Sequence, residues 1–226
     1  MRMSLPDNDS KSRRVRATRR NLPGDGDSAL GTPFRHSRGY LPHHHSPHAA
    51  QMITCCLSDS VPRKILLRAI RQRNFRPLED PDRESDFRKA IEHCLDAGYG
   101  SAFLRHAVVA GAMRDILRAD APADYTMIAY VIMPTHIHVL LVPQSDRFLG
   151  EIVRRWKLRL NTTIRTLPDE YSASSPKPLW QKEYHDRMIR DDAHRAAAIA
   201  YVHSNPVKAG LCRTPGEWPW SSAFTG

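Results

Sequence analysis

TMIAYVIMPTHIHVLLVP, residues 126–143, consists of two apolar runs divided by Pro134 and Thr135. Each run has the length of a strand rather than a helix and is rich in β-branched residues. The pattern therefore predicts strand, bend, strand, with both strands central in a sheet. His136 and His138 sit two residues apart on the second of these. Side chains alternate across a strand, so both imidazoles project to one face while Ile137 points to the other. Two nitrogen donors are thus set side by side without any loop rearrangement, as a small metal site requires. The blander reading of a lone His-x-His is a pair of half-exposed strand histidines.

Outward from this hairpin, strands and helices mix without regular alternation. Gln51–Leu57 is short, apolar and β-branched and reads as a strand, and Ser60 with Pro62 opens a helix whose face is marked by Ile65, Leu66 and Ile70. Further helices are expected from Arg83 to Ala97, stopping at Gly98, from Ser101 to Arg118, and from Leu149 to Leu167, where Ile152, Trp156 and Leu160 recur at four-residue spacing. Leu179–Ile189 reads as a strand or extended segment. Asp191 or Asp192 caps a last helix that carries Tyr201 and that Asn205-Pro206 is expected to end. This mixture predicts an α+β domain built on an antiparallel sheet rather than a doubly wound one.

On that last helix Tyr201 and Asn205 are spaced i, i+4, which places both side chains on one face, roughly 6 Å apart at Cβ. Alone, such a pair is more often a packing or capping pair. With two histidines it completes a set of groups able to break a phosphodiester, which requires charge neutralisation on the non-bridging oxygens and an in-line nucleophile. A divalent cation bound by His136, His138 and the Asn205 amide oxygen leaves positions for phosphate and water. It also helps the phenol of Tyr201 react as phenolate. Mixed nitrogen and oxygen donors suit Mn²⁺ well and Mg²⁺ tolerably.

The 226-residue chain has a formal net charge of +10, which points to a polyanionic partner. No apolar run of membrane-spanning length and no leader-like segment is visible, so nucleic acid is favoured over a membrane surface, while the cysteine usage makes a reducing cytoplasm the expected setting. The four cysteines form no C-x-x-C pair, which argues against a zinc framework or a disulfide scaffold. Residues 1–38 read as a disordered basic tail, with nine Arg or Lys against four Asp, or as a start placed ahead of the true one, Met52 being the next methionine after Met3. Residues 39–226 form the expected domain. The cluster His43, His44, His45 and His48, flanked by Pro42 and Pro47, reads as a flexible loop. Arg154, Arg155, Lys157 and Arg159 form a basic run around Trp156, and Lys182, Arg187 and Arg190 form another. Both runs are candidate contacts to a DNA backbone, weighed against solvated faces. Trp218 and Trp220 are expected as lids on the sheet.

Five motifs together resemble the single-tyrosine insertion-sequence transposases of the HUH class, and more closely the REP-associated tyrosine transposases. They are RGYLPH (residues 38–43), MPTHIHVLL (133–141), LWQKEYHDRMIR (179–190), YVHSNPVKAGL (201–211) and WPWSSA (218–223). The resemblance implies a ferredoxin-like sheet of HUH endonuclease type, His136 and His138 as metal ligands, Tyr201 as nucleophile and Asn205 as third polar ligand. It implies nicking and strand transfer on single-stranded or hairpin-forming repeat DNA through a 5′-phosphotyrosine, with Mg²⁺ or Mn²⁺ and no nucleotide cofactor. It leaves a homodimer open, since the wider family includes both dimers and monomers. Thr135 departs from the pattern, which usually has Asn before the first histidine, and bears on local turn geometry. Tyr184 reads as a packing or DNA-contact residue. The rival functions are a domesticated hairpin-binding module that no longer cuts and a metal-dependent nuclease that uses water.

Overall fold

The computed structural model describes residues 34–36, 43–46, 48–144 and 147–226. Most of the expected basic tail, and the loop between the first two strands, lie outside the described residues. Two short strands, β1 (Phe34–His36) and β2 (His43–His45), pair antiparallel. The main sheet comprises β3 (Gln51–Cys56), β4 (Tyr125–Ile132), β5 (His136–Pro143) and β6 (His185–Met188) in the order β4-β5-β3-β6, every neighbour antiparallel. Three helices, α1 (Arg63–Phe75), α2 (Arg83–Asp96) and α3 (Ala107–Asp124), separate β3 from β4, and α4 (Leu149–Ile164) and α5 (Asp169–Ser174) separate β5 from β6. Counted in chain order within the main sheet, the strands lie 4-1-3-2. This is the split β-α-β plan of a ferredoxin-like α+β fold.

The two faces of the sheet bury different sets of side chains. Ile53, Cys55 and Leu57 of the β3 segment, with Ile137, Val139 and Leu141 of β5, face α3 and α4. There the stripe Ile152, Val153, Trp156, Leu160 and Ile164 of α4 fills the main core. Trp156 meets Tyr125 edge-on, with ring centroids 5.4 Å apart. On the opposite face Met52, Ala129, Val131 and Leu140 pack against Ala198 and Val202 of α6 (Asp192–Lys208). Cys56 joins a third cluster, in which α1 and α2 pack on one another through Ala69, Phe87, Ile91 and Leu95. All four cysteines are free thiols.

Several expectations need correcting. β4 is not central but ends the main sheet, because its outer side is taken by the C-terminal segment. Ile132 N–H donates to the Trp220 carbonyl, Ser222 N–H donates to the Tyr130 carbonyl, and Val131 bridges to Ser221. Trp218 and Trp220 accordingly pack on opposite sides of this edge, each partly buried, as the lids expected of them. α6 does not end at Asn205 but runs through Pro206 to Lys208. A proline this late forfeits one intrahelical bond, and Pro206 is itself buried. Gly210, with φ of 69°, makes the stop instead. The third expected helix begins as a 3₁₀ turn at Phe103–Arg105 and continues well beyond Arg118 to Asp124. The histidine cluster is not wholly a loop: His43 lies in β2 and is 5% exposed.

Candidate active site

β5 delivers the histidine pair as its alternation requires. Ile137 is buried in the main core, while His136 and His138, each 2% exposed, turn to the α6 face. Their rings meet edge-on at 4.6 Å and their Nε2 atoms converge to 3.1 Å. The outer nitrogens are each held by a hydroxyl. Thr135 Oγ1 lies 2.9 Å from His136 Nδ1, and Thr54 Oγ1 lies 2.8 Å from His138 Nδ1. A hydroxyl that accepts from Nδ1–H fixes the tautomer in which Nε2 keeps its lone pair. Burial pushes His136 down to about 3 and His138 well below the usual histidine range, so both rings are neutral at pH 7.

This pair fits a divalent ion. Two nitrogens bound to one cation at roughly 2.1 Å, at tetrahedral to octahedral angles, stand about 3.0–3.4 Å apart. The observed Nε2 separation of 3.1 Å lies in that span. Among the described residues no group of three His, Cys, Asp or Glu side chains gathers at one point. Among the described residues, Asn205 carries a neutral amide oxygen of the donor class that such a pair accepts as a further ligand.

α6 brings up the phenol. Asp191 caps this helix, its Oδ1 accepting from His194 N–H at 2.7 Å, and α6 then crosses β4 and β5 on the histidine face. Tyr201 is partly buried with its ring centroid 5.3 Å from that of His138. Burial, and after it the Glu92 carboxylate, push its phenol up to about 12, against a hydrogen bond from Asn205 that pulls the other way. Asn205 is 5% exposed. Lys208 Nζ stands 5.0 Å from the centroid of the Tyr201 ring. The structure thus gathers the two histidines and Tyr201, and ties Asn205 to them through Tyr201.

The basic candidates divide. α4 lies against the other face of the sheet, where Arg155 pairs with Asp124 and Arg159 with Asp120. Lys157 Nζ donates to the carbonyls of Gln181, Lys182 and Glu183 at 2.7, 3.3 and 3.2 Å, pinning the segment that leads into β6. Arg154 and Lys182 are exposed. Arg190 N–H donates to His194 Nδ1 at 3.3 Å, at the start of α6. Arg187 is the member of the set whose charge acts on Tyr201.

Other groups escaped sequence reasoning. Thr54 stands opposite both His138 and His185, so one row of side chains crosses three strands on the site face. Burial pushes His185 down to about 4. At the β6 edge His43 stacks on Tyr184 at 4.0 Å and bonds Asp186 at 2.6 Å and Glu183 at 3.3 Å. Burial opposes protonation of His43, but these two carboxylates raise it above the usual histidine range. Tyr184 is buried and packs on His43, which agrees with the packing half of its expected role. The pairing of strands that creates these contacts has no local signature.

Fold and site together define an α+β protein with two buried, converging histidines and a helix-borne tyrosine beside them. Two curated relatives of this chain carry the name REP-associated tyrosine transposase. The Haemophilus influenzae protein, assigned to that class, is 32% identical over 106 residues, 43% of this chain and 58% of that protein. The REP-associated tyrosine transposase of Escherichia coli is 26% identical over 121 residues, 53% of this chain and 62% of that one. The aligned segments thus span a little under two thirds of each relative. No family model matches the chain. Among solved structures, a REP-associated tyrosine transposase bound to a REP hairpin superimposes with a TM-score of 0.45 at 19% identity, over 83% of this chain and 81% of that chain.

Proposed function

We propose that this chain nicks and rejoins single-stranded DNA through a covalent 5′-phosphotyrosine on Tyr201, with His136, His138 and Asn205 as ligands to Mg²⁺ or Mn²⁺. The observation that carries this reading is the convergence of two buried, neutral Nε2 atoms at 3.1 Å beside the Tyr201 ring. A bound divalent ion supplies neutralisation of the scissile phosphate and favours the phenolate. The protein's own groups supply the rest. Thr54 and Thr135 orient the imidazoles, and the hydrogen bond from Asn205 favours the ionised form of Tyr201. The phenolic oxygen forms a bond to phosphorus while the bond to the 3′-oxygen breaks. The phenol proton is released and the departing 3′-oxygen takes one up. The phosphotyrosine conserves the bond, so a later 3′-OH reverses the step and joins a strand without a nucleotide cofactor.

The substrate class that the resemblance implies is hairpin-forming repeat DNA, and the net charge of +10 suits it. No helix among the described residues is long and apolar enough to cross a membrane. Incubation with end-labelled single-stranded DNA and Mn²⁺ tests the proposal. A covalent adduct that disappears in Tyr201→Phe is the expected result. Cleavage that survives in Tyr201→Phe would mean attack by water, and binding without cleavage in either protein would mean a recognition module.

A further inference from the structure

α1 and α2 lie on the face of the sheet that carries the histidines. Cys56 stands opposite His136 in the β3–β5 register, which puts both side chains on one face, and Cys56 packs into the cluster formed by these two helices. Ala69 and Arg73 are the buried residues of α1, and Ile65, Leu66 and Ile70 are half-buried beside them. The apolar stripe that made this helix legible is thus taken up within the cluster. A second stripe is left outward.

Helical spacing sets Lys64, Arg68, Arg71 and Phe75 at i, i+4, i+7 and i+11, along one line opposite Ala69 and Arg73. All four are exposed, and they span about 16 Å of helix axis. α1 contains no Asp or Glu. The acids beyond its C-terminal end are engaged elsewhere, Glu84 with Arg73 and Arg83, and Asp80 and Asp86 with Arg76. Among the described residues no carboxylate stands within ion-pair distance of Lys64, Arg68 or Arg71. Phe75, at 83%, is the most exposed large apolar side chain among the described residues, and Leu78 follows at 75%. A solvated face needs cations but no phenyl ring. Cations that track a phosphate backbone, next to a ring on which a base can stack, are what a single strand requires of a protein surface. A helix that lies on a membrane keeps its apolar face free and separate from its cations. In α1 that face is already covered, and the exposed ring shares one arc with the cations.

We infer that the outer face of α1 is a docking surface for single-stranded DNA, with Lys64, Arg68 and Arg71 on phosphates and Phe75 stacked on a base. The identity of the strand as DNA rests on the strand-cleavage reading; the existence of the surface does not.

The test is fluorescence anisotropy of a labelled oligothymidylate over a salt series, with the full chain carrying Tyr201→Phe so that no strand is cut. Lys64→Gln, Arg68→Gln and Arg71→Gln combined should reduce the slope of log affinity against log salt by about 2, that is about 0.7 for each lost single-strand phosphate contact. Phe75→Ala should weaken binding about 5- to 150-fold, the effect of one lost base stack, and leave the slope unchanged. Phe75→Trp should keep the affinity. Arg105→Gln, Arg118→Gln and Arg165→Gln combined remove the same charge from exposed positions outside α1 and should change the slope much less. An unchanged slope in the α1 triple variant would overturn the inference. So would an equal loss in the control triple, which would mean undifferentiated surface charge. Parent affinity in Phe75→Ala would overturn it as well, and this variant decides alone if circular dichroism shows that the α1 triple does not fold. Tighter binding of the parent to phosphatidylserine vesicles than to the oligonucleotide would replace DNA by a membrane surface. A separate adduct assay with Tyr201 intact reports on strand cleavage alone, so either reading can fail without the other.

Discussion

Thr54→Val removes one hydroxyl from behind the site and nothing from its interior. Thr54 Oγ1 lies 2.8 Å from His138 Nδ1, and His138 is 2% exposed, so no water replaces the lost partner freely. Valine keeps the shape and the β-branched fit to the strand. The cost is then that of one buried group left unbonded, about 1–3 kcal/mol. That energy is spent in holding the tautomer that points a bare Nε2 inward. Its loss should therefore weaken metal binding by about 10- to 100-fold. The assay is adduct formation on single-stranded DNA as a function of Mn²⁺ concentration. The expected result is a half-saturating concentration raised by that factor with a nearly unchanged maximal rate, and near-complete recovery in Thr54→Ser. A Thr54→Val protein with the parent's Mn²⁺ dependence would refute the argument that this hydroxyl orients the ligand. A lowered maximal rate with unchanged Mn²⁺ dependence would refute it equally.

The remaining predictions concern stability. His185 titrates lower in the folded chain, near 4, than in the unfolded one, so the stability present above pH 6.5 is lost as pH falls through that window. Urea unfolding at pH 7 and pH 4.5 should show this loss shrinking in His185→Gln, by at most about 1.4 kcal/mol per pH unit. Leu160→Ala opens a void under α4, where Leu160 is fully buried, and should lower unfolding free energy by about 2–5 kcal/mol. Because α4 covers the face opposite the histidines, adduct yield per folded molecule should hold in that variant. Asp191→Ala removes the cap of the helix that carries Tyr201 and Asn205, and urea unfolding should record a loss of about 0.5–2 kcal/mol.

The histidine pair was legible because alternation along a strand is a local rule. Once TMIAYVIMP-THIHVLLVP is read as two strands, the placement of Ile137 in the core and of both imidazoles on the other face follows. That Tyr201 and Asn205 share a helix face was legible for the same reason, since helical spacing is local, but their choice as site residues rests on the family resemblance more than on that spacing. What the strands pair with is not local. Thr54 lies 84 residues from His138, and only the β3–β5 register makes it a support for that ring. Phe87, which packs on His185, belongs to a helix whose apolar pattern shows that it packs but not on what. The basic run of α4 failed to gather at the site because its neighbours could not be read from its own stretch. Asp120 and Asp124 stand at the end of another helix, and they take Arg159 and Arg155. Pro206 misled for an energetic reason: the rule against helical proline is strongest in the interior, and here only the last turn is affected.

The claim that most needs testing is the covalent role of one tyrosine among seven. Mass spectrometry of the proteolysed DNA adduct, formed with Mn²⁺ on single-stranded DNA and trimmed by nuclease, tests it most directly. A nucleotide-bearing mass is expected on the peptide that contains Tyr201 and on no other. A modified Tyr184, or cut DNA with a free 5′-phosphate and no modified peptide, would contradict it.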